Sequence, residues 1–212
     1  HGHDLYFPIN NRIPNNGYYN HLFESANYLV ANTAFLKDKL IEINAPIEKI
    51  KIIPVAVDTS IFKPIKLDDK KSDLIRIISV GRLEIFKGHQ FGIKCISQLV
   101  KKGYDIQYSI IGDGSQKEVL ESLIQKYGLK KHVVLLGRKS QEEISKTLPI
   151  QDIFLMTSIT DSNYGVESQG LVTAESQACG LPVVAFDSGG VKYTLVDGKT
   201  GFLCKEEDIE CY

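Results

Sequence analysis

The chain has 212 residues, 43% of them hydrophobic, enough to bury the core of one large domain or two smaller ones. Its 25 lysines and arginines balance 26 aspartates and glutamates, which excludes a global field drawing it to nucleic acid or to an anionic membrane, so any anion site must be local. No apolar run approaches the roughly 18 residues of a membrane span. The first residues lack the basic region and apolar core of a signal peptide, although the chain begins at His1 rather than methionine and a preceding segment could carry either.

Short β-branched runs predict strands at 28–32 (YLVAN), 49–55 (KIKIIPV), 76–80 (RIISV), 107–111 (QYSII), 132–136 (HVVLL), 152–158 (DIFLMTS), 182–186 (PVVAF) and 201–204 (GFLC). Amphipathic stretches alternate with them, which argues for an α/β layer fold with a mainly parallel sheet. A helix is expected over 89–102, with Phe91, Cys95, Ile96, Leu99 and Val100 on one face and Gly103 beyond its end. The next is expected to be capped by Ser115, to carry Val119, Leu120, Leu123 and Ile124, and to stop at Gly128. Another begins near Leu171, with Leu171, Ala174 and Ala178 on one face and Gly180 then Pro182 after it. The charged, proline-opened stretch 64–73 reads as a linker between the tail of one domain (1–63) and a second run of about 140 residues, long enough for a doubly wound domain. The four cysteines, Cys95, Cys179, Cys204 and Cys211, form no CxxC pair and no ligand-like spacing with histidine, which predicts reduced thiols in a cytoplasmic setting.

Three segments carry polar chemistry. GRLEIFKGH follows RIISV directly, so Arg82 and Lys87 occupy the turn at a strand's carboxyl end, where open α/β sheets bind ligands. Two cations there suit a phosphate or diphosphate, although basic residues in such turns are commonly just solvated. IIGDGSQ places Gly112 and Gly114 where a ligand could approach the backbone, yet it is not GxGxxG, and a simple strand-to-helix turn explains the glycines equally.

ESQGLVTAESQACGLPVV puts Glu167 in the loop before a helix and Glu175 about a turn inside it. Eight helical steps would separate the two by about 12 Å along the axis. That is beyond the roughly 5 to 9.5 Å of a glycosidase acid pair, so a hydrolytic pair is disfavoured. The layout suits an elongated ligand: backbone N–H groups of Gln169, Gly170 and Leu171 facing an anion, with a carboxylate on either side accepting from hydroxyls. A nucleotide sugar has that form. Each glutamate alone would equally be a solvated carboxylate, and it is the combination with Arg82 and Lys87 that directs the reading.

In order, spacing and strand placement, GRLEIFKG, IIGDGSQ, VVLLGR, ESQGLVTAESQACGLPVVAFDSGG and DGKTGFL resemble the retaining glycosyltransferases of family 4, the glycosyl transferases group 1, and in particular bacterial exopolysaccharide and colanic-acid-type members. HGHD at the start is similar to a segment near the cleft of some members, and residues 22–64 resemble the passage between the two domains. The resemblance implies a GT-B fold: a Rossmann-like, doubly wound parallel-sheet C-terminal domain (74–212, truncated at its end) plus the tail of an N-terminal Rossmann-like domain (1–63), hence a fragment.

By motif position it implies that Gly81, Arg82 and Lys87 hold a donor diphosphate beside Gly112 and Gly114. Glu175 would bind the ribose, and Gly137 and Arg138 would lie beside the base. Glu167 with Ser168, Gln169, Gly170 and Leu171 would hold the transferred sugar. Glu167, Arg82 and Lys87 form the implied catalytic set, and His1, Gly2 and Asp4 the acceptor side. The implied reaction moves a hexose-type sugar with retention from a UDP- or GDP-linked donor to a saccharide or lipid-linked acceptor, by same-face attack aided by the leaving phosphate, in cell-surface polysaccharide synthesis. No DxD metal motif is present, and no metal or cofactor beyond the nucleotide-sugar co-substrate is implied. No nucleic-acid partner is implied either, and the location is cytoplasmic or at the inner face of the cytoplasmic membrane, with peripheral association of a longer parent left open. The chain departs from the family pattern at Lys192 and Tyr193, at Val55 and Ala56, and at Gln177. A non-catalytic nucleotide- or phosphosugar-binding module and a nucleotide-sugar 2-epimerase on the same fold are the alternatives.

Overall fold

The structure, a computed structural model, describes residues 19–66 and 73–212. His1, Gly2 and Asp4, and residues 67–72 of the expected linker, lie outside the described residues.

The first unit runs through helix α1 (Asn20–Ser25), strand β1 (Leu29–Ala31), helix α2 (Ala34–Glu42) and strand β2 (Ile50–Ile52). β1 and β2 pair in parallel, and Leu29, Ala31 and Ile50 pack with Phe23, Leu40 and Ile43 beneath them. β2 stops short of the expected 49–55, and Pro54 just beyond it has no N–H to continue a ladder.

The second unit alternates β3 (Ile75–Val80), α3 (His89–Lys101), β4 (Ile106–Ile111), α4 (Lys117–Lys126), β5 (Val133–Gly137), α5 (Gln141–Thr147), β6 (Ile153–Met156), α6 (Leu171–Ala178), β7 (Val183–Phe186) and β8 (Gly201–Cys204). Its six strands are all parallel, in the order β5-β4-β3-β6-β7-β8. This is a doubly wound Rossmann-like sheet whose order reverses between β3 and β6, as expected for a GT-B type domain. Because both faces are covered, the central strands are mostly apolar, and neighbours along a strand fall into opposite cores; the buried Ser79 hydroxyl of β3 is satisfied by the Leu155 carbonyl. Ile78 and Met156 join Phe154, Val183 and Leu148 on one face, while Ile77 and Leu155 join Ile93, Ile96 and Leu120 on the other. Phe62, which precedes the expected linker, is 1% exposed and sits within the first of these cores.

Four local expectations are corrected. Ser115 does not cap α4: its hydroxyl donates to Glu84 Oε2 at 2.8 Å, and the helix starts two residues later behind Gln116. Val119 faces solvent, leaving Leu120 and Ile124 as the buried residues of α4. α6 buries Thr173 and Ser176 rather than Leu171, Ala174 and Ala178. Small hydroxyls fit close against the sheet, and Ser176 satisfies its own by donating to the Val172 carbonyl at 2.6 Å. Finally, Cys204 and Cys211 are joined in a disulfide, because the turns after β8 fold back to bring their Cα atoms within 5.7 Å. The reduced reading therefore holds only for Cys95 and Cys179, both buried.

Candidate functional site

The site is built at the carboxyl ends of β3 and β6, where the strand order reverses and the loops on either side diverge to leave a crevice. After β3 the backbone passes Gly81 and Arg82, makes a short 3-10 turn at Ile85–Lys87, and enters α3 through Gly88. Gly88 has φ +64°, and a Cβ there would meet the Thr157 carbonyl oxygen at 2.0 Å, so the turn is pressed against the loop following β6. Phe86 is buried and anchors the turn, while the exposed Arg82 guanidinium lies over its ring at 5.7 Å.

His89 is the first residue of α3 and is buried directly behind this loop. Its Nε2 lies 3.2 Å from the Arg82 carbonyl, which can only accept, so the ring is the Nε2–H tautomer. Among the described residues, Nδ1 has no hydrogen-bond partner. Burial, reinforced by the charge of Lys87, pushes the imidazole pKa down to about 4, so the ring is neutral near pH 7.

The GDG turn after β4 packs on the loop after β3. Gly112 donates its N–H to the Gly137 carbonyl at 2.9 Å. A Cβ on Gly112 would meet the Gly81 carbonyl oxygen at 1.8 Å, and one on Gly114 the Leu83 carbonyl oxygen at 2.6 Å. Loop-on-loop packing is thus sufficient to require both glycines. Gly81, Arg82, Gly112, Gly114 and Arg138 line a cleft of about 490 Å³ at this edge. Gly137 closes β5 beside it.

The loop between β6 and α6 meets the far end of the loop after β3. Lys87 Nζ donates to Glu167 Oε2, with the two side chains 16% and 15% exposed. Glu167 Oε1 accepts the Gly170 N–H at 3.3 Å. Gly170 is the N-cap of α6 in the left-handed region, φ +74°. The anion at this helix N-terminus is therefore the chain's own carboxylate, where Gly170 N–H was expected to face a ligand. Glu175 lies one turn into α6, where partial burial raises its pKa above the ordinary carboxylate range.

The two glycines of SGG clamp the same loop from below. Gly190 N–H donates to the Glu167 carbonyl at 2.8 Å, and a Cβ on Gly190 would sit 1.8 Å from the Ser168 carbonyl oxygen. From the first unit, Thr33 and Asn32 reach Ser168, and the backbone of Val55 pairs with the Gln169 side chain. Of the residues expected together, Lys87, Glu167 and Gly170 are in direct contact, whereas Arg82 lies over the Phe86 ring and lines the adjoining cleft. Sequence reasoning missed His89, Asn32 and Thr33, which are neutral and carry no motif of their own. Among the described residues, no group of three His, Cys, Asp or Glu side chains is disposed to hold a metal ion, and no helix is long and apolar enough to cross a membrane.

Comparison with known proteins places this geometry in context. The family model described as "Glycosyl transferases group 1" matches residues 62–212. The chain is 32% identical over 192 residues to the "Amylovoran biosynthesis glycosyltransferase AmsK" of Erwinia amylovora, covering 91% of this chain and 47% of that protein. It thus spans about half the length of the curated relatives it matches. A glycosyltransferase structure from Rickettsia africae superposes with a TM-score of 0.80 at 27% identity, over 94% of this chain and 55% of that one. Anabaena Alr3699/HepE, in complex with UDP and glucose, shares the fold with a TM-score of 0.79 at 22% identity, over 99% of this chain and 58% of its own.

Proposed function

The chain belongs to the glycosyl transferases group 1 family, and from that premise we propose that it is the donor-binding part of a retaining glycosyltransferase of family 4. The enzyme would move a hexose-type sugar from a UDP- or GDP-linked donor to a saccharide or lipid-linked acceptor in cell-surface polysaccharide synthesis. One observation carries the reading. Lys87 and the N-terminus of α6 meet at the switch point of the sheet and already hold a carboxylate, and Arg82, on the same loop as Lys87, lines the adjoining cleft. A site that binds one oxyanion through an ammonium and a helix N–H suits the phosphates of a nucleotide sugar.

In this reading the donor diphosphate takes the place of the Glu167 carboxylate on Lys87 and Gly170 N–H, with Arg82 at the mouth of the cleft. Glu167, once displaced, accepts hydrogen bonds from the hydroxyls of the transferred sugar. Glu175 receives the ribose and Arg138 flanks the base. The bond from the sugar's anomeric carbon to the phosphate oxygen breaks, its electron pair leaving with the diphosphate. The acceptor oxygen bonds to that carbon on the same face, and its proton passes to the leaving phosphate. Arg82, Lys87 and the α6 dipole stabilise the charge that develops there, so no metal ion is required for that role. Residues 1–63 belong to the acceptor side, and a cytoplasmic location, at the membrane face where the acceptor is lipid-linked, fits a nucleotide-sugar donor. The name of the Erwinia relative, which concerns amylovoran biosynthesis, supports a polysaccharide product.

Calorimetric titration of the full chain with UDP, GDP and ADP, paired with a sugar-release assay on UDP-glucose and GDP-mannose, tests this. Saturable binding of UDP or GDP with release of sugar is expected. Failure to bind any of the three overturns it, and binding without release even in a longer parent favours a non-catalytic binding module.

A further inference from the structure

We propose that Thr33, Asn32 and Gln169 form a latch through which the first unit sets the shape of the Glu167 loop, making them positioning residues for the donor site; the link to donor affinity rests on the function proposed above. The Thr33 hydroxyl donates to the Ser168 carbonyl at 2.8 Å while accepting the Leu36 N–H at 3.2 Å as the cap of α2. Both hydrogen-bonding directions of this hydroxyl are therefore committed, one to each unit. Asn32 Nδ2 donates to Ser168 Oγ at 3.3 Å. The Gln169 carboxamide completes a two-way pair with the backbone of Val55, accepting its N–H at 3.0 Å and donating to its carbonyl at 2.9 Å. Thr33 is 3% and Gln169 6% exposed, so loss of the partner of either side chain would leave a buried polar group unpaired.

The consequence lies in where the pinned atoms sit. Gly190 fixes the Glu167 carbonyl from the second unit, and the latch fixes the next two residues from the first. Immediately beyond them is Gly170, whose N–H meets the Glu167 carboxylate. A loop held at both ends and through its middle presents that carboxylate and that N–H in one arrangement. Releasing the first unit's hold removes three of the constraints and lets residues 168–170 relax. Donor affinity and the contact between the two units are therefore linked, and the linkage is reciprocal.

Amide hydrogen exchange and calorimetry on the full chain test the latch with three variants. Thr33→Val is close in shape but lacks the hydroxyl, Thr33→Ser restores it, and Gln169→Met removes the carboxamide without touching the α2 cap. Exchange at Gly170 and Leu171 is expected to speed up about tenfold in Thr33→Val and Gln169→Met, with affinity for UDP or GDP falling by a similar factor. Thr33→Ser should match the parent, and exchange in β3 should not change in any of them. Bound nucleotide should also slow exchange at Leu36, which a merely structural contact would not produce. Unchanged loop exchange in folded Gln169→Met overturns the latch, as does unchanged nucleotide affinity in a chain that binds. If the parent chain binds neither nucleotide, the donor reading fails and loop exchange alone decides the latch. Should Thr33→Val not fold, Gln169→Met carries the test.

Discussion

Lys87 and Glu167 pair directly across the switch point of the sheet, although they lie 80 residues apart. Their side chains are about 16% and 15% exposed, and the second oxygen of Glu167 is held by the Gly170 N–H at 3.3 Å. An acid from the chain itself thus fills the electropositive notch, and any phosphate arriving there must compete with it. Glu167→Gln keeps the shape and removes the competing charge. UDP or GDP is expected to bind about fivefold more tightly to the variant, because electrostatic repulsion of the incoming anion is relieved. Sugar transfer by a longer parent carrying the change should fall by about a hundredfold or more. Weaker nucleotide binding in this variant would show that the carboxylate is a ligand of the phosphates' surroundings rather than their competitor.

Arg82 is exposed and makes its ring contact with Phe86 at the surface, so it contributes little to folding. Arg82→Ala should change stability by no more than about 0.5 kcal/mol. Nucleoside diphosphate affinity should drop about tenfold or more through loss of a forked cation on the phosphates. Paired melting and titration curves check this, and a large loss of stability with intact affinity would assign Arg82 a structural role instead.

Gly190 has no room for a side chain, since an added Cβ would lie 1.8 Å from the Ser168 carbonyl oxygen. Gly190→Ala is expected to cost about 1–3 kcal/mol and to disturb the Glu167 loop. Gly198, with φ +69° and open space around the same atom, is the control. Its alanine variant should cost only the left-handed penalty of about 1–2 kcal/mol, with nucleotide binding intact. Urea unfolding of both variants together with a UDP or GDP titration separates the outcomes, and equal affinities would remove Gly190 from the account of the loop.

His89 gives a pH dependence of definite sign. Burial lowers its pKa from the ordinary 6.5 to about 4, so between these values the unfolded chain binds a proton that the folded chain does not. The contribution is full above pH 6.5 and is lost as pH falls towards 4, amounting to about 3 kcal/mol for a shift of this size. His89→Gln should flatten the difference in unfolding free energy between pH 7 and pH 4 relative to the parent. Superimposable pH profiles for the two proteins would mean that the imidazole pKa is the same in the native and unfolded states.

Much of this arrangement is legible in the sequence because it repeats along the chain. Short apolar, mostly β-branched runs mark the described strands, and GRLEIFKG lies directly at the end of β3 while ESQGLVTAE opens the helix after β6, so the edge that carries the site follows from the alternation of elements. What is not legible has no periodic trace. The hydroxyl of Thr33 meets Ser168 across 135 positions, and a neutral threonine in ANTAF is indistinguishable from any helix cap. α6 misleads because Thr173 and Ser176 are the side chains small enough to lie against the sheet, so the polar positions point inward and Leu171 outward. Ser115 looks like a cap but bonds to Glu84 instead, a choice made by loop packing. Cys204 and Cys211 meet through turns whose shape their spacing does not reveal.

In the proposed function, the crevice between the loop after β3 and the N-terminus of α6 receives the diphosphate of a nucleotide sugar. Amide chemical-shift mapping of the isotope-labelled chain during addition of UDP and, separately, GDP tests it most directly. One of the two is expected to shift Gly81, Arg82, Gly112, Gly114, Gly170 and Leu171 together in a saturable manner, while Val30 and Lys51 on β1 and β2 stay in place. Saturable shifts confined to another surface, or none with either nucleotide, would contradict it.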